Sequence, residues 1–325
     1  MSVVGRGGAG GEPARPEGLA ALAARRERLE RRAHVIQAVR AFFHARGFLE
    51  VETPLWMRAP LPERYIDAIP CGRGFLATSP EPHMKQLLAA GYERIFQISK
   101  CFRAGEAGRL HHPEFTMLEW YRAHAGSAAL VEDVQTLVRY VCRKVLGTGE
   151  LTYQGRRVDV EGAWEYVSVD EAFARYACAE LRAEPDQAWF DETLVRQIEP
   201  QLGLEVPTII SGYPRAFCPM ARALPGVPER ADRCEVYIAG VELANGCAEQ
   251  TDVAEQEAAL RREREIRGAR GAHVYAWPSA FLAAVPYMPP CAGMALGVDR
   301  LVMLLCDAPR ISDVMAFCEE WYNSA

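Results

Sequence analysis

The sequence predicts an α+β fold with antiparallel hairpins. Helical and strand-like segments follow one another without a regular βαβ order, and residues 94–122 have the pattern of a long antiparallel hairpin. A chain of 325 residues, half of them hydrophobic, can bury a large core. We expect one large domain over residues 19–325, preceded by a disordered Gly/Pro-rich tail over residues 1–18.

The composition argues against a large nucleic-acid-binding surface and against a membrane protein. The net charge of −6 disfavours a large non-specific nucleic-acid surface, which requires a basic face. The sequence has no signal-peptide core and no apolar run of about 18 residues, so we expect no membrane contact and a cytoplasmic location. The ten cysteines include no CxxC pair, and the histidines complete no zinc pattern. Several cysteines lie in apolar runs and are predicted to be small core residues.

The N-terminal third contains two predicted helices and two strand-like segments. Apolar residues from Leu19 to Arg46 recur near a 3.6-residue period, and Gly47 ends this helix. The strand-like FLEVETPLW follows. After a loop over residues 58–74 and a short strand from Phe75 to Thr78, Ser79 caps a helix that begins at Pro80 and ends at Gly91.

The remaining elements follow in order. Residues 94–102 form a strand, AGEAGRLHHP a loop, and the residues after it a returning strand. Residues 127–146 form an amphipathic helix, and residues 148–205 a mainly helical connection in which YQGRRVDVEG can form a hairpin. The last segments are a strand from Val206 to Ile210, a loop over 211–233, a strand from Glu235 to Val241, a charged helix over 252–271, and a Gly-flanked strand before a helix near Val298.

Three clusters of polar residues suit a charged ligand. The first is Arg103, Glu106, Arg109 and His111, in which the guanidinium forks match phosphate oxygens. The alternative is a surface ion pair between Arg103 and Glu106, and structural ion pairs are the commoner case for a single cluster.

The second cluster is Glu235 and Glu242, which flank an apolar strand and can hold Mg²⁺ on a nucleotide. Their alternative role is as solvated strand ends. In the third cluster, two glycines allow close backbone approach and Arg300 lies in the first turn of a helix, although ordinary turn chemistry explains the pattern too. Its members are Gly293, Gly297, Asp299 and Arg300. The residues alone predict an α+β protein that binds a phosphorylated ligand with a divalent cation.

Five segments extend this interpretation through a resemblance. FRAGE…HHPEFTMLEWY is similar to motif 2 of the class II aminoacyl-tRNA synthetases, AGMALGVDRLVML to motif 3, and FLEVETP to motif 1. TSPEPHMK and GVELANGCAEQTD resemble segments of the lysine-specific branch. They occur in the family order from about residue 19 to 317. The resemblance implies an antiparallel sheet flanked by helices, activation of an amino acid to an adenylate with ATP and Mg²⁺, and a homodimer through residues 19–54.

The resemblance also implies roles for individual residues. Arg103 contacts the α-phosphate, and Phe115 and Arg300 enclose the adenine. Arg103 and Arg300 are therefore the expected catalytic residues, and Glu235 and Glu242 the metal ligands. The full ATP-binding set is Arg103, Glu106, Arg109, His111, Phe115, Glu242, Gly297 and Arg300.

On the amino-acid side, Glu81 is expected to meet the substrate's amino group. Glu119, Tyr121 and Glu249 receive a side-chain ammonium, and Asn245 lies near the carboxylate. Two carboxylates around one desolvated ammonium select a lysine-like substrate, because a neutral analogue leaves buried charge unpaired. With Ser79, the substrate-binding set is Ser79, Glu81, Glu119, Tyr121, Asn245 and Glu249.

Within the lysine branch, the chain is similar to the elongation factor P lysine ligase family. The sequence gives no sign of the anticodon-binding domain of a lysyl-tRNA synthetase, which makes tRNA an unexpected partner. The resemblance implies ligation of lysine or (R)-β-lysine to a lysine of elongation factor P. Two alternatives stay open: a minimal lysyl-tRNA synthetase, and a non-catalytic regulatory paralogue.

The sequence departs from the family pattern at several positions, among them Gly105, His112 and Cys247. Gly105 stands where the lysine branch has glutamate, His112 where asparagine is usual, and Cys247 where an aromatic residue borders the ammonium pocket. The last change enlarges the pocket wall and leaves the choice between α-lysine, β-lysine and another amino acid open.

Overall fold

The computed structural model describes residues 17–181 and 185–318. Its centre is an eight-stranded sheet with the strand order β1-β5-β6-β15-β14-β13-β10-β9. The strands are β1 (Leu49–Glu50), β2 (Trp56–Met57), β3 (Pro70–Cys71), β4 (Gly74–Leu76), β5 (Arg94–Phe102), β6 (Glu114–Ala123), β7 (Glu150–Tyr153), β8 (Arg156–Asp159), β9 (Glu165–Ser168), β10 (Thr208–Ser211), β11 (Ala223–Leu224), β12 (Val227–Ala231), β13 (Arg233–Ile238), β14 (Val241–Ala248) and β15 (Cys291–Gly297).

Helices cover both faces of this sheet. They are α1 (Glu17–Ala24), α2 (Arg26–Ala45), α3 (Glu81–Ala89), α4 (Ser127–Leu146), α5 (Val169–Tyr176), α6 (Gln187–Thr193), α7 (Val253–Ala269), α8 (Ser279–Ala284) and α9 (Val298–Leu305). Single helical turns lie at Leu194–Ile198, Glu199–Gln201, Arg215–Phe217, Val285–Tyr287 and Ile311–Val314. The α+β fold predicted from the sequence is confirmed. No helix in the described ranges is long and apolar enough to cross a membrane.

The pairing inside the sheet is mainly antiparallel, as predicted. The hairpin of β5 and β6 pairs Arg94 with Arg122 at one end and Phe102 with Glu114 at the other. β15 pairs antiparallel with both β6 and β14, so it lies between two chain segments that are distant in sequence. The two edge strands, β1 and β9, pair in parallel with β5 and β10.

Alternation along the strands separates the core from the site. Leu118 and Trp120 of β6 and Met294 and Leu296 of β15 face the main hydrophobic core, together with buried residues of α2, α4 and α9. Because neighbouring side chains of a strand point to opposite faces, the polar residues between these positions lie on the other face. One face of the central strands therefore packs into the main core, and the other carries the polar residues together with a smaller hydrophobic cluster that includes Ile95, Tyr121 and Cys291.

Several predicted boundaries differ from the structure. The first helix divides at Arg25 and begins at Glu17, two residues before the predicted domain start, whereas residues 1–16 of the predicted tail lie outside the described ranges. The predicted loop over 211–233 contains the hairpin of β11 and β12. The predicted strand from Glu235 to Val241 is present as β13 but ends earlier, at Ile238, because Ala239 and Gly240 have positive φ angles of 53° and 74° and reverse the chain between β13 and β14.

Candidate active site

A cavity of about 430 Å³ opens over the polar face of the central strands. It is lined by residues from the β5–β6 hairpin, β14, β15, and the starts of α3 and α9. Most of the predicted site residues meet here: Ser79, Glu81, Arg103, His111, Phe115, Glu119, Tyr121, Glu242, Asn245, Glu249, Gly297 and Arg300. Glu106, Arg109 and Glu235 do not line it.

Arg300 is fixed at one end of this cavity. One of its guanidinium nitrogens donates to both the backbone carbonyl and the carboxylate of Glu242, at 2.8 and 2.9 Å. Its Nε donates to the carbonyl of Leu110, and its second terminal nitrogen lies 2.8 Å from His111 Nε2. Burial and the adjacent Arg300 cation lower the pKa of His111, so this ring is neutral at pH 7 and accepts from the guanidinium.

Arg103 lies over the ring of Phe115, with its guanidinium carbon 5.1 Å from the ring centroid. Its ion pair with Glu106 is loose, at 3.7 Å. Gly105 lies between them and has a φ of 76°, which glycine adopts without strain. This backbone conformation explains why a glycine stands where the family has glutamate. Arg103 and Arg300 thus bring two cations to one cavity, as anionic phosphates require.

The opposite half of the cavity is acidic. Glu119 is buried and accepts hydrogen bonds from Ser79 Oγ at 2.6 Å and from Tyr121 Oη at 3.1 Å. Burial, reinforced by the charge of Glu81, raises the pKa of Glu119 to about 8. An ammonium group would offset this burial cost, which makes the position suitable for a cationic ligand.

A lysine of the chain itself lies beside this acidic half. Lys85 Nζ is 2.5 Å from Glu81 Oε1 and 2.6 Å from Glu249 Oε2, and the lysine side chain is only 1% exposed. Burial disfavours its charge, but Glu249 and Glu81 together hold the pKa of Lys85 above its usual value. Burial likewise raises the pKa of Glu249, against the opposing effect of Lys85. Cys247 Sγ donates to Glu249 at 3.7 Å.

Glu235 is buried behind the cavity and is already bonded by side chains. Tyr213, Tyr237 and Asn245 donate to it at 2.5, 2.7 and 3.2 Å, and Arg233 forms an ion pair with it. Four donors occupy the acceptor capacity of one carboxylate, so a metal ion would have to displace some of them. The metal role of Glu235 stays a prediction.

Glu242 is better placed than Glu235 to bind a cation, because it lines the cavity. Within the described chain, Arg300 alone donates side-chain hydrogen bonds to its carboxylate. The described residues contain no group of three or more His, Cys, Asp or Glu side chains arranged around one point. Mg²⁺ commonly takes one or two carboxylates and the phosphates of its nucleotide. Glu242 therefore suits a cation that arrives with a nucleotide, and the protein provides no cage of its own.

Two further predicted residues have structural partners. Arg109 Nη1 donates to Tyr153 Oη at 3.2 Å, outside the cavity, so its ATP-binding role stays a prediction. Asp299 is buried, accepts from the backbone N–H of Thr116 at 2.6 Å and pairs with Arg32 at 2.5 Å. It joins α9, β6 and α2, and it also lines the cavity.

The sequence-based interpretation missed three charged residues of the site: Glu63, Lys85 and Arg233. The sequence does contain a signal for Lys85, because this residue is one of few lysines and lies one helical turn after Glu81. Arg233 had one too, since strand alternation places it on the same face as Glu235. Glu63 had none, because it lies in an irregular loop far from the motifs.

Comparisons with known proteins identify relatives of this chain. A family model described as tRNA synthetases class II (D, K and N) matches residues 21–320. The chain is 38% identical to an elongation factor P–(R)-β-lysine ligase of Proteus mirabilis and 36% identical to one of Hamiltonella defensa, each time over 89% of this chain and 94% of the relative. It is 34% identical to a lysine–tRNA ligase of Legionella pneumophila, over 88% of this chain and 63% of that protein.

Proposed function

The chain belongs to the class II tRNA synthetases (D, K and N), and from that premise we propose that it is an ATP-dependent ligase that activates a lysine-type amino acid and joins it to a lysine of elongation factor P. One observation carries the proposal. A single cavity holds two arginines at one end, Arg103 and Arg300, and at the other the buried carboxylates of Glu119 and Glu249 with the half-buried Glu81.

This arrangement suits the first half-reaction. The amino acid's carboxylate is already ionised, so its attack on the α-phosphorus of ATP needs no general base. Arg103 and Arg300 are positioned to stabilise the negative charge that increases at the phosphate oxygens. The amino groups of the substrate would be held by the acidic half, which fixes the distance between the two reactants. Mg²⁺, held by Glu242 and the nucleotide phosphates, would supply further neutralisation of phosphate charge.

Elongation factor P as the acceptor is supported by the named relatives. The chain covers 94% of those ligases but 63% of the lysine–tRNA ligase that it also resembles. The sequence's acidic balance also disfavours tRNA as the acceptor. The proposal includes both α-lysine and (R)-β-lysine as candidate amino acids. It also includes a cytoplasmic location.

We also propose that the protein forms a homodimer through residues 19–54. Leu49, Leu55 and Trp56, in and beside this segment, are 50%, 44% and 44% exposed, and β1 is an edge strand of the sheet. Exposed apolar side chains beside a free strand edge are typical of an interface. Analytical ultracentrifugation of the wild type and of Trp56→Glu tests it: a dimer is expected in the first case and a monomer in the second.

The decisive experiment is a matched set of incubations with ATP and either α-lysine, β-lysine or a neutral analogue. ATP–pyrophosphate exchange reports activation, and the mass of elongation factor P reports transfer. We expect both signals with a lysine-type substrate and neither with the neutral analogue. Exchange without a mass increase, together with charging of purified tRNA, would favour the tRNA alternative. No exchange with any amino acid would favour the non-catalytic one.

A further inference from the structure

A second cavity, of about 560 Å³, adjoins the candidate active site. The two cavities share five lining residues: Glu63, Ile66, Phe217, Pro219 and Arg233. The second cavity also reaches the surface, because Tyr65 and Val195, which line it, are 54% and 56% exposed. It therefore lies directly against the active site and has an opening to solvent of its own.

The walls of this second cavity are largely apolar. Phe190, Leu194 and Tyr213 line it, together with the aromatic and aliphatic residues at its mouth. Its inner end, where the two cavities share residues, carries the carboxylate of Glu63 and the guanidinium of Arg233, whose charge is neutralised by its ion pair with Glu235. A path with apolar walls and an acid at the end fits a lysine side chain, which has four methylene groups and a terminal ammonium.

Glu63 differs from the other carboxylates that line the two cavities. Among them, in the described parts of the chain, its carboxylate alone has no hydrogen-bond or ion-pair partner. Glu81 and Glu249 bind Lys85, and Glu263 binds Arg64. Asp191 bonds Tyr65, and the remaining carboxylates have the partners described above. Glu63 is thus free to exchange a proton without losing a bond.

The charged groups that face Glu63 come from three sides. Glu81 lies at the start of α3, Arg103 and Glu106 after β5, and Glu263 on α7. Burial, followed by the charge of Glu81, raises the pKa of Glu63 to about 7, although Arg103 opposes the increase. A carboxyl group that titrates near neutrality suits a general base at that pH.

Transfer to a protein lysine requires a base that removes a proton from the lysine ammonium, whereas activation of the amino acid requires none. A lysine ammonium has a pKa of about 10.4, so at pH 7 nearly all of it is protonated and cannot attack a carbonyl. The ammonium must lose a proton before the new C–N bond forms. The acids in the amino-acid half are held in bonds, whereas Glu63 lies between that half and the outer path.

We propose that the second cavity admits the side chain of the acceptor lysine and that Glu63 takes its ammonium proton. This rests on the proposed function. The neutral amine attacks the carbonyl of the aminoacyl adenylate, forming the amide C–N bond and breaking the bond between the carbonyl carbon and the phosphate oxygen. AMP leaves with that electron pair. The second amine proton passes to solvent, and Glu63 releases its own proton in the same direction.

The test separates activation from transfer in the full-length protein. Glu63→Gln keeps the size of the side chain and removes the base. We expect single-turnover transfer to elongation factor P to slow by about 100-fold at pH 7, a much larger loss than that of ATP–pyrophosphate exchange. Wild-type transfer should rise with pH and level off above about 7, whereas the variant should continue to rise toward the pKa of the acceptor. Glu229→Gln, an exposed glutamate outside both cavities, is the matched control.

Two further measurements distinguish a base from a merely structural residue. Hydroxylamine is uncharged at neutral pH, so it should capture the adenylate equally well with wild type and Glu63→Gln. Ala188→Trp fills the mouth of the second cavity from an exposed position and should slow transfer to the protein while exchange and hydroxylamine capture persist.

The outcomes are separable. If Glu63→Gln transfers at the wild-type rate with the wild-type pH profile, this inference is overturned and the proposed function stands. Equal loss of exchange and hydroxylamine capture also overturns it, because Glu63 would then act in activation or folding. If the wild type activates the amino acid but modifies no elongation factor P, the proposed acceptor fails, and the inference with it.

Discussion

Lys85 lies beside the acidic half of the cavity, 2.6 Å from Glu249, a residue expected to receive a substrate ammonium. Their side chains are 1% and 3% exposed. A buried ion pair is maintained because each charge would be costly alone. The acidic half is thus already organised around one ammonium group and contains more carboxylates than this lysine neutralises. It is therefore suited to accept a further cation from a substrate.

Removal of Lys85 should strongly destabilise the protein. In Lys85→Met the carboxylates of Glu81 and Glu249 lose their common cation, which we expect to lower the free energy of unfolding by about 3–5 kcal/mol. Lys100→Met is the matched control, because the Lys100–Glu114 pair is exposed and should change stability by about 0–1 kcal/mol. Urea denaturation of both variants measures the difference. Equal stabilities would show that the Lys85 pair adds nothing.

Amino-acid binding should depend on pH through Glu119. Its pKa of about 8 in the free protein means that the carboxyl group is mostly protonated below pH 8 and must lose its proton when an ammonium binds. The affinity for lysine should therefore rise with pH, by about tenfold per unit below pH 8, and then level off. Calorimetry in buffers of different ionisation enthalpy should detect proton release at pH 7. Glu119→Gln should bind lysine weakly and with little pH dependence.

Loss of Arg300 should impair activation more than folding. Its guanidinium donates to Glu242 and faces the cavity, so Arg300→Ala should slow ATP–pyrophosphate exchange by at least about 100-fold, with the far-ultraviolet circular dichroism retained. Arg109→Ala should have a much smaller effect, because Arg109 bonds Tyr153 outside the cavity. Arg157→Ala, at an exposed ion pair, controls for loss of positive charge. Comparable losses in all three variants would contradict the assignment.

The two glycines of the third cluster should respond differently to alanine. A Cβ at Gly293 would overlap the ring of Tyr121, so Gly293→Ala should lower stability by about 1–3 kcal/mol and weaken lysine binding as the tyrosine moves. A Cβ at Gly297 would meet only the side chain of Arg300, at 3.5 Å, an ordinary contact. Gly297→Ala should therefore fold with near wild-type stability. Differential scanning calorimetry compares the two, and equal melting temperatures would contradict the argument.

Local sequence patterns predicted the regular elements that have strong periodicity. The helix Ser127–Leu146 and the hairpin of β5 and β6 are where their apolar periods place them, because burial of one face sets both patterns. Segments with weak periodicity were not predicted. The hairpin of β11 and β12 is short and lies in a stretch rich in glycine and proline, and the reversal at Ala239 depends on a positive φ angle in a residue that does not favour one.

The sequence by itself determined the α+β class, the family motifs and the charged residues that lie within those motifs, since these depend on residue type and on spacing along the chain. Only the tertiary structure decided which charges meet. It placed Lys85 between Glu81 and Glu249, surrounded Glu235 with donors, directed Arg109 away from the cavity and left Glu63 free where two cavities join. Electrostatic energies depend on distance in space and on burial, and neither can be read from separation along a chain.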